Sequence, residues 1–319
     1  MKTKIISTKF NTYQEMSQSA KNWVHHCSYK LFPYAFEGEH HIIELPNSQL
    51  SYANRKGGFM HDAKSPPHSV SIGIVQQCRG VACFDRFKLQ EGMIVFFDDS
   101  QAFNFMSNDE IQIAIISIPN AFAEKYKLNF KKTNGKYTFD TNAQFSMLLH
   151  NILKAFLDTD NSLDLQDTED TVIGYVKNLI KTASLQEVKL TKGEKIALAI
   201  RDQVYHHIDG KINIESFAKQ YKVSVQTLEN AFKSLFGFTP KKFLQLLKLN
   251  LVHHDLKNAD PKTCTVLRIA TKWGFFHMGR FSKEYTQLFG ENPSETLKSL
   301  SFVKDNMIST CTSRQEELI

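Results

Sequence analysis

Between residues 40 and 118 the apolar positions come in short runs: HHIIELPNSQLSYANR, SVSIGIVQQ, GVACFDRFKL, GMIVFFDD, AFNFMS and IQIAIISIP. The runs are rich in Ile, Val and Phe, and turn residues separate them about every ten positions. That pattern predicts an antiparallel sandwich or barrel. From residue 141 the period changes. Phe145, Leu148, Leu149, Ile152, Leu153 and Phe156 form one stripe, and Val172, Val176, Leu179 and Ala183 follow at i, i+4, i+7 and i+11. Both stripes predict amphipathic helices. The stretch between them, DTDNSLDLQDTED over 158–170, carries six acids and no base, which predicts a solvated loop. Residues 184–192, SLQEVKLTK, read as an interdomain linker.

The C-terminal third writes one phrase twice. VSVQTLENAFKSLFGFTP begins at residue 223, and FHMGRFSKEYTQLFGENP begins at residue 276. With a shift of 53, Leu228, Phe232, Phe236, Gly237 and Pro240 fall on Phe281, Tyr285, Phe289, Gly290 and Pro293. Upstream the shift is 52: Ala218, Tyr221 and Val223 fall on Ala270, Trp273 and Phe275. A one-residue difference therefore lies between the halves of the unit, where a turn is expected. Apolar positions at i, i+4 and i+8 mark helices. Ser224 stands where an N-cap opens the first copy's second helix. Gly237 and Gly290 stand where left-handed stops close the second helices, with a proline three residues on. Short helix, tight turn, second helix is a helix-turn-helix pattern, and an apolar helix over 240–258 joins the copies. Two copies are fewer than a solenoid requires.

On Ala270, Gly274, Phe275, Phe281, Tyr285, Phe289, Gly290 and Pro293, with Leu228, Phe232, Gly237 and Pro240 in the first copy, residues 192–300 resemble the DNA-binding domain of AraC/XylS-type transcription regulators. The resemblance implies an α+β chain of two domains. An N-terminal cupin-like β-barrel with flanking helices, over 1–185, would sense an effector or dimerise. A C-terminal all-α double helix-turn-helix domain, over 192–300, would bind DNA, and 301–319 would be a tail. The implied partners are double-stranded promoter or operator DNA, RNA polymerase, a small-molecule effector and a second copy in a homodimer. The helices after the barrel either make that dimer or pack on their own barrel.

Charge agrees with this division. Residues 1–190 carry 20 basic and 20 acidic residues, whereas 191–319 carry 19 basic and 13 acidic, so the whole net charge of +6 lies with the repeat. Phosphate neutralisation needs such a surplus. The chain contains no apolar run long enough to span a membrane, and MKTKIISTKFNTYQEMSQSA has no apolar secretion core. Cysteines 27, 78, 83, 264 and 311 form no CxxC, which favours neither disulfides nor zinc and fits a cytoplasmic protein. Histidines 25, 26, 40, 41, 61 and 68 raise a metal site, but adjacent His40 and His41 would face opposite sides of a strand. No metal, cofactor or catalytic residue is assigned, since GxSxG, Walker and HExxH motifs are absent. The rival readings are a cupin-type metal-dependent enzyme with a helical appendage, and a DNA-repair methyltransferase fusion, for which Cys27 alone is too little. Phe84, Phe96, Phe103 and Phe105 are candidate pocket residues, and Arg55, Arg79 and Arg86 candidate anion clamps.

An α-helix fits the major groove, where every base pair presents its own donors and acceptors. Two helices on a stiff connector can enter successive grooves about 34 Å apart. With Leu228 and Phe232 buried, Val225, Gln226, Glu229, Asn230 and Lys233 face outward; by resemblance Gln226, Glu229 and Asn230 match base-contacting positions. With Phe281 and Tyr285 buried, His277, Met278, Gly279, Arg280, Ser282 and Lys283 face outward. Arg280 suits guanine, and Lys283 a base or a phosphate. On the connector, Lys248 and His253 stand near family arginine positions, which implies pH-dependent phosphate anchoring at His253. Lys241 and Lys242 would compensate.

Overall fold

The computed structural model describes residues 5–20, 22–33, 35–100, 102–130, 135–158, 164–206 and 214–298. The chain forms two compact units. The first comprises Met1–His25, Ala35–Gly57 and Asp62–Lys189; the second comprises His26–Tyr34, Gly58–His61 and Leu190–Ile319.

The strands are β1 (Ile5–Phe10), β2 (Val24–Lys30), β3 (Glu37–Glu44), β4 (Gln49–Lys56), β5 (Phe59–Lys64), β6 (Ser69–Cys78), β7 (Ala82–Phe84), β8 (Phe87–Lys88), β9 (Met93–Asp98), β10 (Phe103–Ser107), β11 (Ile111–Pro119) and β12 (Tyr137–Phe139). They form a seven-stranded sheet of order β1-β3-β4-β11-β6-β9-β12 and a five-stranded sheet of order β2-β5-β10-β7-β8. The expectation of an antiparallel sheet domain holds, but among the described residues the strands make two sheets and no closed barrel.

Residues paired straight across antiparallel strands share a face. In the larger sheet this places Ile5, Ile43, Leu50, Ile116, Ile72 and Phe96 in one row over six strands. Helices α1 (Tyr13–Ser19), α2 (Asn120–Lys125), α3 (Gln144–Leu157) and α4 (Leu165–Thr182) belong to the same unit. Phe145, Leu149 and Ile152 of α3 and Val172 and Val176 of α4 join that row in one core. The stripes at 145–156 and 172–183 are thus used for packing on the chain's own sheet.

The expected acidic loop is corrected in part. Asp164 caps α4, its carboxylate accepting from the amides of Gln166 and Asp167, so the helix starts at Leu165. Glu169 is fully buried. Its carboxylate accepts from the Asn47 amide, the Asn47 Nδ2 and the Ser48 hydroxyl at 2.7–2.8 Å. Composition gave the wrong answer there because a buried acid needs only enough donors.

The second unit contains α5 (Lys192–His206), α6 (Ile214–Gln220), α7 (Val225–Phe236), α8 (Pro240–Asn258), α9 (Val266–Lys272), α10 (Met278–Phe289) and α11 (Pro293–Lys298). Phe232, Phe236 and Phe243 form an aromatic cluster with ring centroids 5.2–5.6 Å apart. Eight residues of α8 are buried, on several sides of the helix, as expected of one that runs through a core. The tail over 301–319 lies outside the described residues.

Candidate nucleic-acid interface

Each copy of the repeat is a helix, a left-handed turn and a capped second helix. In the first copy the amide of Val223 donates to the Ala218 carbonyl and that of Lys222 to Lys219. In the second copy Phe275 donates to Ala270 and Gly274 to Thr271. Both are Schellman closures, which require one residue at positive φ. That residue is Gly274 at φ 85° in one copy and Lys222 at φ 52° in the other. Ser224 then caps α7, its hydroxyl accepting from the Thr227 amide at 3.0 Å, and His277 precedes α10. Counting from the left-handed residue, the second copy is longer by Phe276, which accounts for the step from 52 to 53. Phe276 is 74% exposed. Both second helices end on glycines in the left-handed region, Gly237 at φ 75° and Gly290 at φ 79°.

Leu228, Phe232, Phe281 and Tyr285 are buried, as the pattern required. On α7 the expected contact residues Gln226, Asn230 and Lys233 are exposed and Glu229 is half-buried. Gln226 Nε2 donates to Asn230 Oδ1 at 2.9 Å, so these two side chains act as one polar group. On α10, Gly279, Arg280 and Lys283 are exposed and Met278 and Ser282 half-buried. A Cβ at Gly279 would meet nothing within 4 Å, so packing does not demand glycine there. Arg280 Nε donates to Glu284 Oε1 at 2.9 Å, and Glu284 Oε2 accepts from Gln245 Nε2 of α8. Neither Glu284 nor Gln245 was expected from the sequence, although the i, i+4 spacing of 280 and 284 is the signature of such a pair.

The connector behaves differently from the expectation at one position. His253 is half-buried, stacked on Phe289 at 4.1 Å, with Nδ1 2.6 Å from the Tyr285 hydroxyl. That hydroxyl also donates to Thr296 Oγ1 at 2.8 Å. Burial, then the nearby Lys257, Lys30 and His254, push the imidazole down to about 3. Glu291 Oε1 lies 3.8 Å away, but burial outweighs it, and His253 is neutral near pH 7. It is a structural link between α8 and α10 rather than a titrating phosphate anchor. Lys241 and Lys242 are exposed at the start of α8.

In the first unit a cavity of about 350 Å³ is lined by Ile6, Thr8, Gln18, Ser19, Glu44 and Gln49 among others. None of the four expected phenylalanines lines it. Phe96 belongs to the helix-covered core, Phe84 and Phe103 pack on each other and on Phe97, and Phe105 lies under the Arg55 guanidinium. Arg55 is buried and meets His40 Nε2, Arg79 pairs with Glu110, and Arg86 donates to the Gly135 carbonyl. The three arginines therefore do not converge. Among the described residues no group of three His, Cys, Asp or Glu side chains is placed to hold a metal ion. Among the same residues, no helix is long and apolar enough to cross a membrane. Cys78 and Cys264 are free thiols and Cys83 is buried; the side chains of His25, His26 and Cys27 lie outside the described set.

Residues 217–299 match a family model described as a helix-turn-helix domain. The chain is 36% identical over 120 residues to the "Probable thc operon regulatory protein" of Rhodococcus erythropolis, covering 38% of this chain and 36% of that protein. It is 32% identical over 95 residues to a XylDLEGF operon transcriptional activator of Pseudomonas putida, covering 30% of each. The chain thus spans about a third of the length of these curated relatives. Among solved structures, the AraC-like transcriptional activator CuxR aligns with a TM-score of 0.44 at 12% identity, over 79% of this chain and 96% of that one. By its two repeated units and by the sequence matches, the C-terminal part of the chain is a helix-turn-helix domain, similar to the corresponding part of these operon regulators.

Proposed function

We propose that the protein is a sequence-specific DNA-binding transcription regulator that places α7 and α10 in successive major grooves. The observation that carries this reading is the repeated unit. The same Schellman turn opens onto a second helix whose apolar face is buried and whose early polar face is exposed, once on each side of α8. A helix of 19 residues is about 28 Å long, close to the span between successive grooves. In this reading Gln226, Glu229, Asn230 and Lys233 meet one groove, and Met278, Gly279, Arg280, Ser282 and Lys283 meet the next. Arg280 reads guanine N7 and O6, the Gln226–Asn230 pair suits adenine, and Glu229 accepts from cytosine. Lys241 and Lys242 neutralise phosphate.

In this reading the first unit, whose last segment ends at Lys189, has a sensory role. Its cavity, lined by Ile6 and Ile42 as well as by Lys9 and by hydroxyl, amide and carboxylate groups, supports a small effector with both apolar and polar parts. Homodimerisation, contact with RNA polymerase and a cytoplasmic location belong to the same reading. The test is selection from a random duplex pool by the full chain. The reading expects two enriched blocks, one carrying guanine at a fixed position. A pool with no enrichment after repeated rounds would overturn it.

A further inference from the structure

We infer that Glu284 is a positioning residue for DNA readout: anchored by Gln245 of α8, it fixes the Arg280 guanidinium so that its outer fork faces a guanine. The inference rests on the DNA-binding reading above.

Arg280 has the most exposed side chain of the pair, at 72%, while that of Glu284 is 19% exposed. A long exposed arginine is normally free to rotate, and ordering it on binding costs entropy. Here the ion pair uses Nε alone, at 2.9 Å to Oε1. A guanidinium has five N–H donors in a fixed plane, so a bond at Nε sets that plane and leaves both Nη groups for a bidentate acceptor pair. Guanine N7 and O6 are such a pair. The other carboxylate oxygen, Oε2, accepts from Gln245 Nε2, and the Gln245 Oε1 accepts from Lys242 Nζ at 3.4 Å. The Lys242 bond orients the Gln245 amide, which orients the carboxylate, which orients the arginine. Three side chains from two helices thus determine the direction of one. An ordinary surface i, i+4 pair has no such backing and contributes little.

The sign of the charge separates this role from simple attraction. Glu284 is an acid close to a surface proposed to meet phosphates. Removing it lowers repulsion, so Glu284→Ala is expected to bind random duplex as tightly as wild type or more tightly. Selectivity is expected to move the other way. The preference for guanine at the position erased by Arg280→Ala should fall roughly three- to tenfold, part of the loss from losing the arginine itself.

The experiment is selection from a random duplex pool with the full-length wild type, Glu284→Ala, Glu284→Gln, Gln245→Ala and Arg280→Ala, with thermal melting of each. Glu284→Gln keeps an acceptor for Nε and is expected to retain most of the guanine preference. Gln245→Ala, which does not touch Arg280, is expected to weaken the same position, and it carries the test if Glu284→Ala fails to fold. Guanine preference unchanged in both Glu284→Ala and Gln245→Ala overturns the inference. So does equal loss in the Gln and Ala variants, which would assign the effect to charge. A wild-type chain that selects no sequence overturns the DNA-binding reading instead. Wild-type selection that depends on Arg280 but ignores Glu284 and Gln245 overturns only the positioning role.

Discussion

Exchanging the two turn residues should change stability in opposite directions. Gly274 and Lys222 occupy the same place in the two Schellman closures, at φ 85° and 52°. An L-residue in this region costs about 1–2 kcal/mol, because Cβ crowds the following carbonyl. Glycine avoids that strain but loses more backbone entropy on folding, worth roughly 0.5–1 kcal/mol. A Cβ built on Gly274 would have only Lys248 Nζ near it, at 3.7 Å, so no clash adds to the strain. Gly274→Ala should therefore destabilise the second unit by about 1 kcal/mol, and Lys222→Gly should stabilise it by about 0.5–1 kcal/mol. Urea unfolding followed by the fluorescence of Trp273, the preceding residue, measures both in a Trp23→Phe background. A neutral Gly274→Ala, or a destabilising Lys222→Gly, would refute the equivalence of the two turns and with it the structural basis of the repeat.

Three further perturbations follow from the packing and the interface. Arg280→Ala should cost roughly 1–3 kcal/mol on a selected site and relax one position, read by titration of a labelled duplex and its single-base variants; equal losses on all sequences would make Arg280 a phosphate ligand. His253 is neutral when folded and takes up a proton near pH 6.5 when unfolded, so folding disfavours its charge. Its contribution is complete above about pH 6.5 and is lost as the pH falls toward 3, with a slope of up to ~1.4 kcal/mol per pH unit. Urea midpoints between pH 5 and 6.5 should be flatter in His253→Gln, and an unchanged slope would contradict the burial of the imidazole. Glu169→Ala leaves the buried Ser48 hydroxyl without its acceptor and frees two donors of the exposed Asn47, and should destabilise the first unit by about 1–3 kcal/mol in chemical denaturation. A cost below about 0.5 kcal/mol, the usual range of a surface change, would contradict its role.

The repeat was legible because its helices are short and amphipathic and its stops are glycines, so spacing alone placed Leu228, Phe232, Phe281 and Tyr285 inside. The step from 52 to 53 located the longer turn but did not single out Phe276, since an exposed apolar residue breaks the pattern that sequence reading relies on. The sheet domain was legible between residues 40 and 119 except for β5, and β12 was not read either. Strand β1 was not read, because its alternation of Ile, Ser, Thr and Lys resembles an ordinary polar terminus until it pairs with β3. His253 and Glu169 were misjudged for one reason: polar residues were assigned to solvent by type, whereas Tyr285, Asn47 and Ser48 supply what they need inside. Glu284 and Gln245 escaped notice because their pairing joins α10 to a helix 39 residues earlier.

The most direct measurement varies the spacing between the two enriched half-sites and records the affinity of the full chain for each duplex. With α7 and α10 held by the single helix α8, five inserted base pairs turn the second groove to the far side of the DNA. The account predicts that affinity then falls to that of one half-site alone, and that the loss is larger than for either single-base change. Equal affinity across all spacings would contradict a pair of recognition helices locked to the pitch of the double helix.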